Sequence, residues 1–202
     1  MVIPSSLDRR LIETSDHNNF EWLEPNTLNP QPAGFIFAPN NGFLPSHPRP
    51  SSHGISCYDT HTSLNLHRNG CVQYIHDFGY IREDSAYLQH PILTVRIMHV
   101  LQFSHELLTK YNYFGEVRIR ISLKSQSTKM GIQISDNFGG ESYEMNGNEI
   151  QIDREFSIDY LMSNFSNITA SIMDEIFNHF GIWKCHYFDE NGDYILNKIA
   201  TR

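Results

Sequence analysis

The sequence predicts an α+β fold, an antiparallel β-meander of about six to eight strands with two long helices packed on one face. Three observations predict it. Residues 60–78 alternate polar and apolar side chains around an Asn-Gly dipeptide. Two segments, starting near Pro91 and Ile158, repeat apolar residues at steps of three and four. Between them residues 116–124 switch to strict alternation.

The chain begins with a segment of a different kind. Residues 1–54 show no sustained periodicity and hold eight of the nine prolines, which marks a Pro/Asn-rich arm ahead of one domain at 55–202. Leu7 to Ile12 suit one helical turn, and Gly34 to Ala38 one short strand. Phe20, Trp22, Leu23, Phe35, Ile36, Phe37, Phe43 and Leu44 are too apolar for a free linker, since leaving each in water forgoes roughly 1.5 to 3 kcal/mol. The arm is therefore expected to dock, on its own sheet, on a protein partner, or on a second copy in an exchanged homodimer.

Next come two alternating segments, residues 60–68 and 71–78, which read as a hairpin closed by a two-residue Asn69-Gly70 type I′ turn. That register pairs Arg68 with Cys71, Leu66 with Gln73 and Leu64 with Ile75. It gathers His61, Ser63, Asn65, His67, Val72, Tyr74 and His76 on the other face. Pro91 suits a first helical turn, and Leu93, Ile97, Leu101, Leu108 and Tyr111 predict a helix from about Pro91 to Tyr111, ended by a left-handed Gly115. In the strand that follows, Val117, Ile119, Ile121 and Leu123 face a core, while Glu116, Arg118, Arg120, Ser122 and Lys124 face away.

The meander is expected to continue through Met130 to Ser135, Ser142 to Met145 and Asn148 to Asp153, the last two joined at Asn146-Gly147. Ser157 caps a second helix whose stripe is Ile158, Leu161, Phe165, Ile168, Ile172, Ile176 and Phe180, with Gly181 at its end. Asn164, Ser166, Asn167 and Thr169 weaken its middle and predict a break near Ser166. Trp183 to Phe188 and Tyr194 to Leu196 read as a last hairpin.

Composition narrows the function classes. A net charge of −8 disfavours non-specific binding to nucleic acid or to an anionic membrane, while leaving room for a local basic patch. No apolar run approaches the roughly 18 to 20 residues that span a bilayer, and the start lacks a leader pattern, so the expectation is a cytoplasmic chain with no membrane partner. Cys57, Cys71 and Cys185 lack C-x-x-C spacing, which argues against a disulfide framework and a zinc ribbon. No nucleophile elbow, phosphate loop, zinc helix or dinucleotide fingerprint is present, so no cofactor is expected and no catalytic residue is assigned.

Two weaker constellations remain. Among the histidines, only His61 and His76 lie close enough in that register to share a metal ion, helped by Asp59 or Asp77; His61 and His67 are about 20 Å apart at roughly 3.4 Å per residue. Arg118, Arg120 and Lys124 form a basic stripe, and Tyr74 is an aromatic able to stack a base if its strand neighbours theirs. Cys71 and His67 fall on opposite faces in that register, a poor nucleophile and base pair. Asp189-x-Asn191-Gly192 reads as a tight turn, because a calcium loop needs its glycine sixth and here it is fourth.

One likeness goes further than pattern. The Leu64 to Tyr74 segment with its Arg-Asn-Gly, the helix ending at Gly115, Glu116-Val-Arg-Ile-Arg-Ile, the run from Ile172 to Gly181, and Phe188-Asp-Glu-Asn-Gly-Asp-Tyr together resemble the C-terminal region of certain bacterial proteins. Those are DNA-binding or ATP-binding proteins that carry an N-terminal Schlafen-type AlbA_2 domain. The similarity covers about Ser56 to Ile195 and rests on structural punctuation. It implies the accessory part of such a protein, since residues 1–54 have no room for the AlbA_2 domain, and it transfers no functional residue. The expected function is a non-catalytic sensing or protein-interaction module, accessory to a nucleic-acid-binding or ATP-binding protein. Two alternatives stay open, a metal-assisted hydrolase or phosphodiesterase using His61 and His76, and a nucleic-acid accessory domain using Tyr74, Arg118, Arg120 and Lys124.

Overall fold

The computed structural model describes residues 1–5, 11–12, 21, 48–52, 54–58, 60–136 and 139–195. The expected strand at 34–38 and the docking of the arm's aromatics lie outside these, as does most of the expected turn at 7–12. In chain order the strands are β1 (Val2–Pro4), β2 (Arg49–Pro50), β3 (Gly54–Tyr58), β4 (Thr62–His67), β5 (Val72–His76), β6 (Tyr80–Arg82), β7 (Ser85–Leu88), β8 (Glu116–Lys124), β9 (Lys129–Asp136), β10 (Gly139–Asn146) and β11 (Glu149–Ser157). Helix α1 (His90–Lys110) separates β7 from β8, and α2 (Ile158–Asn178) follows β11. The fold is α+β with two helices, as expected. No helix among the described residues is long and apolar enough to cross a membrane.

The strands exceed the expected number and divide between two sheets. An antiparallel sheet of seven runs β11-β8-β1-β5-β4-β3-β2, and a sheet of four runs β10-β9-β7-β6. Two expectations are corrected here. Asn146-Gly147 does not close a hairpin: β10 pairs with β9 in the smaller sheet while β11 lies beside β8 in the larger. Each strand is apolar on one face only, so either sheet can bury it, and the local pattern does not choose. In addition β7 and β9 pair in parallel, a pairing made across the intervening α1 and β8.

The hairpin of β4 and β5 forms, but one residue out of the expected register. Leu66 opposes Val72, Leu64 opposes Tyr74 and Thr62 opposes His76. The loop has three residues, Arg68, Asn69 and Gly70, with Gly70 alone at a left-handed φ of 84°. The His67 amide donates to the Cys71 carbonyl at 2.9 Å, and the Asn69 side chain accepts from the Cys71 amide at 3.1 Å. This is the type I turn with a glycine bulge. The slip exchanges every side chain of β5 between faces. It puts Val72 in the core in place of Gln73, whose amide would be costly to bury without partners.

By compactness the chain forms two units. The first comprises Met1–Asp77, His99–Arg120 and Asp153–Ser163. Its core joins Val2, Leu64, Leu66, Val72, Val117 and Ile119 from strands with Phe103, Leu107 and Leu108 from α1. From the arm, Leu11 and Ile12 are buried, and both amides donate to the Arg68 carbonyl, at 2.7 and 2.9 Å. The second comprises Phe78–Met98, Ile121–Ile152 and Asn164–Arg202. Its core includes Leu93, Met98, Met130, Ile132, Ile150, Ile172, Ile176 and Phe177.

Both helices end in Schellman motifs. In α1 the left-handed residue is Asn112 (φ 53°), with Tyr113 and Asn112 amides reaching the Leu108 and Thr109 carbonyls. Gly115 was expected there; it lies under the Tyr113 ring, and its carbonyl accepts from the Ile158 amide. In α2 Gly181 (φ 78°) takes the role as expected, and Ser157 Oγ caps the start by accepting from the Tyr160 amide at 3.2 Å. The helix kinks at Asn164, where φ is −134°, two residues before the expected break. Buried hydroxyls are satisfied within the helices, Thr94 on His90, Ser104 on Val100 and Thr169 on Phe165. After α2, Phe188 and Tyr194 form an isolated bridge around the 189–193 turn, where two strands were expected. That turn is tight, with Asp189 Oδ1 accepting from the Asn191 and Asp193 amides.

Candidate functional site

All of the sequence-derived candidates except Lys124 lie in the first unit, on the strands of the larger sheet or beside them. Val2 pairs with both Val72 and Ile119, so these three side chains point to one side, which is buried. Ile3 pairs with Arg118 and therefore points to the other, outer side. On that outer side the strands align in rows across the sheet. Tyr58, Ser63 and Ile75 form one row, and Ser56, Asn65 and Gln73 form the next.

These rows differ in chemistry. In the first, Tyr58 is 54% exposed and Ile75 53% exposed, two apolar groups flanking a serine. The Arg49 guanidinium lies 5.9 Å from the Tyr58 ring centre, a cation–π distance. In the second, Ser56 Oγ donates to Asn65 Oδ1 at 2.8 Å, and Asn65 Nδ2 donates to Gln73 Oε1 at 3.3 Å. The polar row is thus bonded within itself, and the apolar row exposes Tyr58 and Ile75 to solvent.

Farther across the same side, Arg118 grips Asp153 with two bonds of 2.6 Å, and Arg120 Nη2 reaches the same carboxylate at 3.2 Å. Hydrogen bonding from Arg118 holds the Asp153 carboxyl below its ordinary pKa, and the same bond raises that of Arg118. Ser5 Oγ donates to Glu155 Oε1 at 2.9 Å. Arg118 and Arg120 are brought together as expected, with a carboxylate clamped between them.

Other expected groupings dissolve with the register. Tyr74 opposes Leu64 on the buried side, and β1 stands between its strand and β8. It therefore lies on the opposite side of the sheet from Arg118 and Arg120. Lys124 is exposed at the end of β8, in the second unit. His76 shares a 2.6 Å hydrogen bond with Thr62, whereas His61 lies 3.3 Å from Asp77, across the hairpin on the outer side. The pair expected to share a metal ion thus occupies two faces of one hairpin; Asp59 lies outside the described residues. Among the described residues no three His, Cys, Asp or Glu side chains are grouped to hold a metal. Conversely His67 and Cys71, expected on opposite faces, are opposed across the turn on the same face. Burial pushes the Cys71 thiol up, away from a reactive thiolate.

No pattern in the sequence singles out Arg49, Tyr58, Ile75 or Asp153. Ile75 was hidden by the register, which depends on loop length. Asp153 falls at the end of the expected Asn148–Asp153 strand, but no local pattern shows which strand lies beside it. No family model matches the chain, and no curated protein or solved structure matches it either.

Proposed function

We propose that the chain is a non-catalytic protein-interaction module of the cytoplasm that meets its partner through the outer side of the larger sheet. The observation that carries this reading is the exposed pair Tyr58 and Ile75 beside a polar row that satisfies itself. A partner that covers the two apolar groups removes them from water without breaking the Ser56, Asn65 and Gln73 bonds, so little polar desolvation opposes the contact. The likeness to the accessory region of AlbA_2-domain proteins supports a chain that serves a nucleic-acid-binding or ATP-binding partner. The two alternatives draw less support. His61 and His76 lie on opposite faces, and Asp153 offsets part of the charge that Arg118 and Arg120 would offer to phosphate.

A photo-crosslinking residue placed at Ile75, and separately at Ile81 as an exposed apolar control in the smaller sheet, tests the reading in the native host. A discrete crosslinked protein is expected from position 75 and not from 81. Equal products at both positions, or turnover of a hydrolase or nuclease panel by the intact protein, would sink the proposal.

A further inference from the structure

The smaller sheet carries an aromatic surface of a different kind. Tyr80, Tyr87, Gly131 and Glu144 stand directly opposite one another across its four strands. Because Gly131 has no side chain, the Tyr87 ring can lie down over it: a Cβ there would come 2.8 Å from Tyr87 Cε1. The ring so placed reaches across β9, and its hydroxyl donates to Glu144 Oε1 at 2.9 Å. Tyr80 stacks on Tyr87 with ring centres 5.6 Å apart and planes within 16°, and its hydroxyl donates to Gln133 Oε1 at 3.0 Å. Tyr87 is only 9% exposed and Tyr80 41%, so Tyr80 forms the outer layer. Gly140 repeats the device, since a Cβ there would come 2.8 Å from the Gln133 side-chain nitrogen.

The result is a flat aromatic platform with hydrogen-bonding groups at its margin. Gln133 Oε1 is taken by Tyr80, which leaves its amide as the donor. Glu144 Oε1 already accepts from Ser85 and Tyr87, while Oε2 has only Lys129 at 3.5 Å. Hydrogen bonds from Ser85 and then Tyr87 hold the Glu144 carboxyl below its ordinary pKa, so it is an ionised acceptor near neutral pH. The Glu144 carboxylate thus stands at the margin of the platform, with Lys129 3.5 Å from its outer oxygen.

We infer that the Tyr80–Tyr87 platform is a binding site for the ring of an uncharged saccharide. A pyranose presents a flat C–H face that suits an exposed tyrosine, and edge hydroxyls that suit a fixed carboxylate and an amide donor. A nucleotide base would stack equally well, but it lacks the ring of edge hydroxyls that would donate to the Glu144 carboxylate, and its phosphates would be repelled by that carboxylate. The inference is independent of the protein-binding face on the larger sheet.

Saturation-transfer NMR on the intact protein, with neutral oligosaccharides of glucose, xylose and N-acetylglucosamine, tests it. Transfer from tyrosine resonances to the ring protons of at least one sugar is expected. Tyr80→Phe should retain that binding, and Tyr80→Ala should weaken it by about tenfold, the loss of one ring face. Amide shifts in the wild-type protein should map to Tyr80, Gln133 and Glu144, a readout that holds even if Tyr80→Ala unfolds. No transfer from any of the sugars, shifts elsewhere, equal binding by a folded Tyr80→Ala variant, or saturation by mononucleotides instead of sugars would overturn the inference.

Discussion

The Tyr187 hydroxyl donates to Nδ1 of the buried His90 at 2.7 Å, while Nε2 of that ring donates to the Gln133 carbonyl at 2.9 Å. A carbonyl only accepts, so Nε2 carries the proton, and the neutral ring then offers Nδ1 as an acceptor. Burial lowers the His90 pKa, the bond to the Gln133 carbonyl offsets part of that, the nearby His186 lowers it again, and burial raises that of Tyr187. Both groups are therefore neutral at physiological pH, and the two bonds tie the start of α1 to β9 and to the segment after α2.

Stability should fall in mild acid for this reason. The folded pKa of His90 lies below the ordinary value near 6.5, so just below that pH the unfolded chain binds the extra proton. The contribution is complete above about pH 6.5 and is lost as pH falls toward the folded pKa. Urea unfolding at pH 7.5 and 5.5 should show a smaller drop for His90→Gln than for the wild type; an unchanged drop would place the acid sensitivity elsewhere.

Tyr187→Phe tests the same contact without a charge. It removes the donor and leaves Nδ1 buried with no partner, a loss of about 1 to 3 kcal/mol in unfolding free energy. A change below a few tenths would mean that water replaces the hydroxyl.

Gly70 and Gly181 separate conformational strain from crowding. Both have left-handed φ, 84° and 78°, but a Cβ at Gly70 would meet Leu11 Cδ1 at 2.7 Å and Leu108 Cδ2 at 3.1 Å, while at Gly181 nothing lies within 4 Å. Gly181→Ala should cost about 1 to 2 kcal/mol. Gly70→Ala should cost about 1 to 3 kcal/mol beyond that, read from the midpoints of urea unfolding. Equal losses would show that Leu11 and Leu108 move aside freely.

Asp153→Asn releases Arg118 and Arg120 from their shared carboxylate. The exposed pair contributes little to stability, so the melting temperature should barely move. Retention on single-stranded DNA should rise and become more salt-sensitive. Retention that stays unchanged would mean that these arginines do not serve phosphate even when freed.

The helices were legible in the sequence because their determinants are local. Ser157, Gly181 and the apolar steps from Ile158 to Phe180 act within one or two turns, and α1 shifted by a single residue. Its cap was misplaced, at Gly115 instead of Asn112, because a left-handed asparagine competes with glycine wherever the next residues can close the turn. The exposure of Arg118, Arg120 and Lys124 followed likewise from strict alternation along β8.

What only the tertiary structure decided is pairing. Alternation says that a strand has two faces and is silent on which neighbour it joins, so β10 and β11 entered different sheets and three residues, Val2 to Pro4, became the strand between β5 and β8. A loop of three residues instead of two then moved Tyr74 and His76 inward and Ile75 outward. Side chains in a strand repeat every two residues, so a single residue of register, set by packing Val72 against Val2, determined which of them face water.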